Sequence, residues 1–320
     1  MVSVMMLAYN HADYVGQALE GVLNQNVNFP FEIIVGEDCS QDETRSILME
    51  YQLRHPEVVR VITYDENVGM NQNFRTVAEA CRGEFVAICE ADDYWTSNEK
   101  LSRQLRIAES RPELSLIVHN AMVEPFNGRR YVLKNMNSDC EFNVRDVLSS
   151  TGQFAATASY FVRREVLSSL PVWIDDAPVI DFFIEAYSQL VGRGYYMHDV
   201  MSIYRIGQPG GWTKNVLQQR TKAAVFKKKM IDCYDEMLED FPEGAHLIRA
   251  RSQEAVRDIL FSSALCGQAD YRSVVESKLT ERLPAWELRI AHFGSGLYLH
   301  WHRIRSRAVW LWFRFGWRRG

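Results

Sequence analysis

Short apolar runs alternate with amphipathic stretches through the first 120 residues, and this alternation narrows the fold more than any other feature of the chain. Residues 2–8, 31–36, 58–63, 85–89 and 114–119 read as buried strands. Between them, residues 13–22, 42–53, 71–80 and 100–109 carry apolar positions at helical spacing. Strands connected by helices run parallel, and near-continuous apolar strands mean that helices cover both faces. The expected class is therefore α/β, a mostly parallel sheet flanked by helices. The loops after the strands then gather at one edge, where open α/β folds bind ligands.

Beyond residue 120 the pattern loosens. Residues 122–139 hold Pro125 and Asn127-Gly128, turn signals that predict a hairpin or a loop leaving the sheet. Short helices are expected over 143–150 and 163–169, and a longer one over 181–191, closed by Gly192 and Gly194. Residues 195–197 and 200–204 read as strand segments, 207–211 as a glycine-rich loop and 213–238 as a long helix. The expected organisation is a catalytic domain over residues 1–210, a helical addition over 211–290 and a basic aromatic tail over 291–320.

The strand-end loops are acidic. The first strand runs into Ala8-Tyr9-Asn10-His11, the second into Glu37-Asp38-Cys39-Ser40-Gln41-Asp42, and the fourth into Glu90-Ala91-Asp92-Asp93-Tyr94-Trp95. Carboxylates crowded after an apolar strand repel one another unless a cation or donor groups neutralise them. A hard divalent ion takes such oxygens, commonly one or two protein carboxylates plus those of a diphosphate. An acidic first turn on the following helix is the simpler alternative. Ser40 and Asp42 suit helix capping, whereas Glu37 and Asp38 suit hydrogen bonding to a base or ribose. Asn71 and Asn73 follow a polar turn at 65–69 and suit either ribose and diphosphate contacts or turn chemistry. The chain has neither GxGxxG nor GxxxxGK[ST], which argues against dinucleotide-binding dehydrogenases and phosphate-loop kinases.

Taken in order, Val4 to Asn10, Glu37 to Thr44, Asn67-Val68-Gly69 and Glu90 to Trp95 closely resemble the family 2 glycosyltransferases, inverting enzymes of the GT-A fold. The resemblance extends through Tyr204-Arg205. It implies a nucleoside diphosphate sugar donor, usually UDP- or dTDP-linked, and a divalent cation, Mn²⁺ or Mg²⁺. It implies a donor site drawn from Ala8, Tyr9, Asn10, Glu37, Asp38, Asn71, Asn73, Ala91, Asp92, Asp93 and Arg205, with Asp38 ahead of Glu37 as the base-recognising acid. Asp92 and then Glu90 are the implied metal ligands. Asp181 is the implied general base, with Asp175 and Asp176 as competitors and a helix cap as the alternative role. Tyr94, Trp95 and Trp212 join Asp181 on the acceptor side. Relatives with Tyr-Arg-x-His can use that histidine near diphosphate or metal; this chain has Gly207 there.

The formal net charge of −5 divides into +7 over residues 288–320, which hold seven arginines and no acid, and −12 over the rest. An acidic body argues against nucleic acid as a partner. Six dispersed cysteines without a CxxC pair read as reduced thiols, with Cys81 and Cys89 buried, and fit a cytoplasmic setting. The first residues lack a basic segment, so they do not read as a signal peptide. In the tail, arginines and tryptophans at helical spacing suit either an anionic membrane surface on the cytoplasmic face of the inner membrane or packing on protein. The acceptor expected from this reading is a saccharide or lipid-linked saccharide of envelope polysaccharide synthesis. A nucleotidyltransferase and a non-catalytic carbohydrate-binding scaffold are the alternatives. Oligomeric state is not legible.

Overall fold

A computed structural model describes residues 1–150, 152–208, 220–266 and 282–285. The chain divides into two units, Met1–Asn215 and Val216–Gly320. The first unit contains a ten-stranded sheet: β1 (Val2–Ala8), β2 (Phe31–Glu37), β3 (Val59–Thr63), β4 (Phe85–Ile88), β5 (Tyr94–Trp95), β6 (Leu114–Pro125), β7 (Tyr131–Leu133), β8 (Cys140–Phe142), β9 (Phe161–Arg163) and β10 (Arg193–Ile206). Its main path runs β3-β2-β1-β4-β9-β6-β10-β5, with β7 on β6 and β8 on β10.

The helix-flanked α/β architecture expected from the alternation is present. Strands β3, β2, β1 and β4 pair in parallel, as do β6 and β10. Helices α1 (Val15–Leu23), α2 (Thr44–Arg54), α3 (Met70–Ala80) and α4 (Lys100–Ser110) connect or follow the early strands. Alternate residues of β1 bury on opposite faces. Val4, Met6 and Ala8 join a cluster with Leu19 of α1, Leu48 of α2 and Leu101 of α4, while Met5 is buried outside that cluster. Fully burying each such side chain stabilises the fold by about 1.5–3 kcal/mol. Gly36 in β2 allows α3 to approach, since a Cβ there would stand 1.9 Å from Asn73 Oδ1.

The other half differs from the sequence pattern in three places. Strand β9, three residues long, enters antiparallel between β4 and β6, where the sequence suggested only small residues leading into a helix. Strand β6 continues past residue 119 to Pro125 and turns back into β7, so the hairpin signal at Asn127-Gly128 marks a real antiparallel pair. The two segments expected around residues 195–204 form one strand, β10, which follows β6 through register shifts near Val200. Helices α5 (Val144–Ser149), α6 (Arg164–Ser169) and α7 (Asp181–Val191) follow among the described residues of this unit. Asn143 and Asp146 form a reciprocal cap at the start of α5.

In the second unit, α8 (Arg220–Asp240) and α9 (Ala245–Cys266) are joined by a turn at Pro242–Gly244. Met230, Ile231, Met237, Ile248 and Leu260 are buried, and Lys227 pairs with Asp258. The basic aromatic tail and residues 209–212, with Trp212, lie outside the described residues. Among the described residues no helix is long and apolar enough to cross a membrane. Cys81 and Cys89 are buried free thiols, as their apolar settings implied, and burial pushes the Cys81 thiol up to about 12.

Candidate active site

The loops after β1 and β2 are tied to each other. Asp38 N–H bonds Ala8 O at 3.0 Å, Asn10 N–H bonds Ser40 Oγ at 3.0 Å, and Gln41 N–H bonds Asn10 Oδ1 at 2.8 Å. Asp42 accepts bonds from Ala12 N–H and from both donors of Thr44. Burial works against the charged Asp42, but these bonds outweigh it and hold its carboxyl below the usual range. Glu37 is wholly buried, paired with Arg45, and accepts Ser40 N–H at 2.6 Å. Asp38 accepts Val68 N–H at 2.7 Å, Gly69 N–H at 3.0 Å and Asn67 Nδ2 at 3.0 Å, which fixes the 67–69 turn. Burial is the largest influence on Asp38 and, with the Glu37 charge, raises its carboxyl despite those donors. Tyr9 is 44% exposed.

The two asparagines of α3 take different places. Asn73 is buried, donating to Gly36 O at 3.0 Å and accepting Tyr64 OH at 3.2 Å. Asn71 donates to the carbonyls of Asp175 and Ala177, at 2.5 and 2.8 Å, and so ties α3 to the 3₁₀ turn Val172–Asp176 ahead of α7. Its Oδ1 is buried without a partner. An open cleft of about 630 Å³ lies here, lined by Val68 to Gln72, Arg75 and Asp175. Asp175 pairs with Arg75 at 2.5 Å.

The carboxylates after β4 meet a different environment. Ala91 N–H is fixed to Leu7 O at 3.2 Å, which anchors the loop beside β1. Among the described residues no hydrogen bond reaches the Glu90 or Asp92 carboxyl, and His11 Nε2 lies 3.9 Å from Asp92 Oδ2. Burial, then the charges of Asp92 and Asp181, pushes Glu90 up to about 8. Asp181 opens α7, accepts Phe182 N–H at 2.7 Å, and is raised chiefly by burial. Glu90 thus lies within electrostatic reach of both Asp92 and Asp181. Asp93 is buried and accepts Arg205 N–H at 2.8 Å. Among the described residues no three His, Cys, Asp or Glu side chains gather tightly enough to hold a metal unaided.

Arg205 is engaged within the protein: its guanidinium donates to Asp92 O at 2.7 Å and to Gln17, and lies over the rings of Tyr94 and Tyr14 at 4.5 and 5.0 Å. Trp95 is buried, with its indole N–H on Ala158 O at 2.9 Å and Lys100 Nζ 4.0 Å above its ring. Tyr94 is half-buried beside it. Gly207 has φ +76, a conformation that a histidine adopts only with strain, which accounts for glycine at that position. Gln208 is buried and bonded by Tyr14 OH at 3.2 Å.

Three residues at the site escaped sequence reasoning. His11 faces Asp92 across the two loops, with its Nδ1 buried and unpartnered. Glu185 lies one turn after Asp181, on the same face of α7. It accepts Phe154 N–H, Ala155 N–H and Tyr160 OH at 3.1, 2.8 and 2.6 Å, and burial pushes it up to about 8. Tyr204 is raised by burial and by Asp93, Asp181 and Asp92, whose charges it faces. The one available signal was the i, i+4 spacing of Asp181 and Glu185 in an otherwise apolar helix.

This architecture, with acids at the carboxyl edge of the strands, is the GT-A glycosyltransferase fold. TarS 1–349 of S. aureus, solved with UDP-GlcNAc, is similar with a TM-score of 0.64 and 18% identity over 98% of this chain and 92% of that one. A mannosyltransferase from Pyrobaculum calidifontis, solved with GDP-Man and Mn²⁺, has a TM-score of 0.58 and 16% identity over 94% and 87%. The family model described as Glycosyl transferase family 2 matches residues 3–170, and the chain belongs to that family. An uncharacterised protein of Mycobacterium tuberculosis is 31% identical over 216 residues, 66% of this chain and 60% of its own length. TuaG of Bacillus subtilis, a putative teichuronic acid biosynthesis glycosyltransferase, is 34% identical over 111 residues, 35% of this chain and 43% of its own.

Proposed function

We propose that this chain transfers a sugar, with inversion, from a UDP- or dTDP-linked donor to a hydroxyl of a saccharide or lipid-linked saccharide acceptor in envelope polysaccharide synthesis. The observation that carries the reading is Glu90 within electrostatic reach of both Asp92 and Asp181, with no hydrogen bond to the Glu90 or Asp92 carboxyl among the described residues. Such a cluster is costly unless a ligand neutralises it. Family membership and the nucleotide sugars named for TarS and the Pyrobaculum enzyme support the donor class. The name of TuaG supports the acceptor class.

A divalent cation, Mg²⁺ or Mn²⁺, suits Asp92 with Glu90 beside it, because the chain supplies one or two free carboxylates and leaves the other positions to diphosphate and water. When bound, it offsets the charge of the departing diphosphate. Asp181 takes the proton of the acceptor hydroxyl while that oxygen bonds the anomeric carbon. The bond from that carbon to the diphosphate oxygen breaks on the opposite face. Burial makes Asp181 a stronger base than an exposed carboxylate. Tyr9 offers a face to the base, and Asp38, through the turn it fixes, shapes the donor cleft.

We assign the reaction to the cytoplasm, with the arginine-rich tail at an anionic membrane surface. Flotation of the chain with anionic vesicles, compared with a chain ending near residue 291, tests the tail; equal and negligible recovery refutes it. The activity is tested by release of UDP, dTDP or GDP from a panel of donors, with and without Mn²⁺, for wild type and Asp92→Ala. Binding of a nucleotide sugar and its cation-dependent loss in the variant are expected. Absence of binding and turnover across donors and acceptor pools overturns the reading.

A further inference from the structure

The β6–β7 hairpin carries an exposed surface that the proposed chemistry leaves unused. Residues 126–134 contain Arg129, Arg130 and Lys134 and no acid, within an acidic body. Arg130 is paired with Glu124. Arg129 and Lys134 are exposed, and neither has an ion-pair partner among the described residues. Tyr131 and Phe126 are 52% and 49% exposed, and among the described residues β7 pairs only with β6. Charges alone would serve to guard a sheet edge against another strand. A guard has no use for exposed rings, whereas sugars stack on them and anionic groups seek the free cations.

The hairpin also adjoins the reacting groups. Tyr131 pairs with Val123, and Val123 with Tyr204, whose surroundings include Asp181 and Asp92. In the next row Val132, Met122, Ile203 and Tyr94 lie across β7, β6, β10 and β5, ending on the loop that bears Asp92 and Asp93. Side chains alternate across a strand, so Tyr131, Val123 and Tyr204 share one face of the sheet, and the exposed Tyr131 ring stands on the face that carries Tyr204.

We infer that the β6–β7 hairpin docks a polyanionic saccharide acceptor, with Tyr131 stacking on a sugar ring and Arg129 and Lys134 countering its acidic groups. This rests on the transferase reading for its role, though the binding is measurable without turnover. The test uses fluorescence anisotropy of the full chain with labelled oligogalacturonate and, separately, with an uncharged malto-oligosaccharide of equal length. Salt-sensitive preference for the charged probe is expected, weakened at least about fivefold by R129S/K134S. Tyr131→Ala should weaken both probes. Unchanged melting of each variant shows that the fold is kept. The basic tail is a competing anion site, so R303S/R305S/R307S is measured in parallel. Binding abolished by the tail variant and untouched by R129S/K134S overturns the inference, as does equal affinity for the two probes. Failure of nucleotide-sugar binding would refute the transferase reading separately.

Discussion

The two acidic clusters at the strand ends are handled in opposite ways. After β2, Glu37, Asp38 and Asp42 are each satisfied by the chain's own donors: Arg45 and Ser40, the 67–69 turn, and Thr44 with Ala12. After β4 and at the start of α7, Glu90 and Asp92 have no such donors among the described residues, and Asp181 is met by backbone N–H groups at its own helix start. The first cluster builds the loops. The second is left without such partners, and burial raises Glu90 and Asp181; the lesson is that acid content alone does not mark a site, whereas acid without partners does.

The largest expected effect separates the two clusters by activity. Asp92→Ala and Asp181→Asn should each cost about 10²–10⁴-fold in transfer while melting no lower than wild type, because each relieves repulsion; a lowered melting temperature would place them in the first cluster instead. Arg45→Met leaves the buried Glu37 charge uncompensated. A loss of about 3 kcal/mol in a denaturant titration is expected, near the low end for a broken buried pair because Arg45 is partly exposed. Asp42→Ala, which leaves the donors of Ala12 and Thr44 without their acceptor, should cost about 1–2 kcal/mol.

The smallest effect sharpens the contrast through its sign with pH. Asp42 sits below its usual range, so its contribution is complete above pH ~4 and fades as pH falls through the lower folded value. Glu185 sits at about 8, so the folded state binds the extra proton: its contribution is complete below its unfolded value and is lost as pH rises through about 8. Glu185→Gln should therefore be less stable than wild type by about 1 kcal/mol near pH 5, and the gap should narrow toward pH 9 in a series of thermal melts. A gap that widened with pH would mean that Glu185 is charged when folded.

The parallel half of the sheet was legible because its strands are buried on both faces and therefore apolar throughout, as in Val2–Ala8. The other half was not. Strand β5 has two residues and β9 three, too few to show a period, and each exists because a neighbouring strand offers an edge to it. At the site, Glu90 and Asp92 were named from motif order and Asp181 from its place before an apolar helix, and Glu90 lies within electrostatic reach of the other two. The sequence could not reveal that Glu37, Asn73, Trp95 and Arg205 spend their polar groups inside the protein, because partners such as Arg45, Gly36 and Ala158 are distant or of ordinary type. Nor could it show that His11 would face Asp92 across two loops.

The most direct test of an unmet-acid site is a paired measurement on Asp181→Asn: binding of the accepted nucleotide sugar by calorimetry, and transfer to acceptor in the same buffer with Mn²⁺. Donor affinity within a few-fold of wild type, with transfer down at least about a hundredfold, is the predicted result. Wild-type transfer by Asp181→Asn would contradict it.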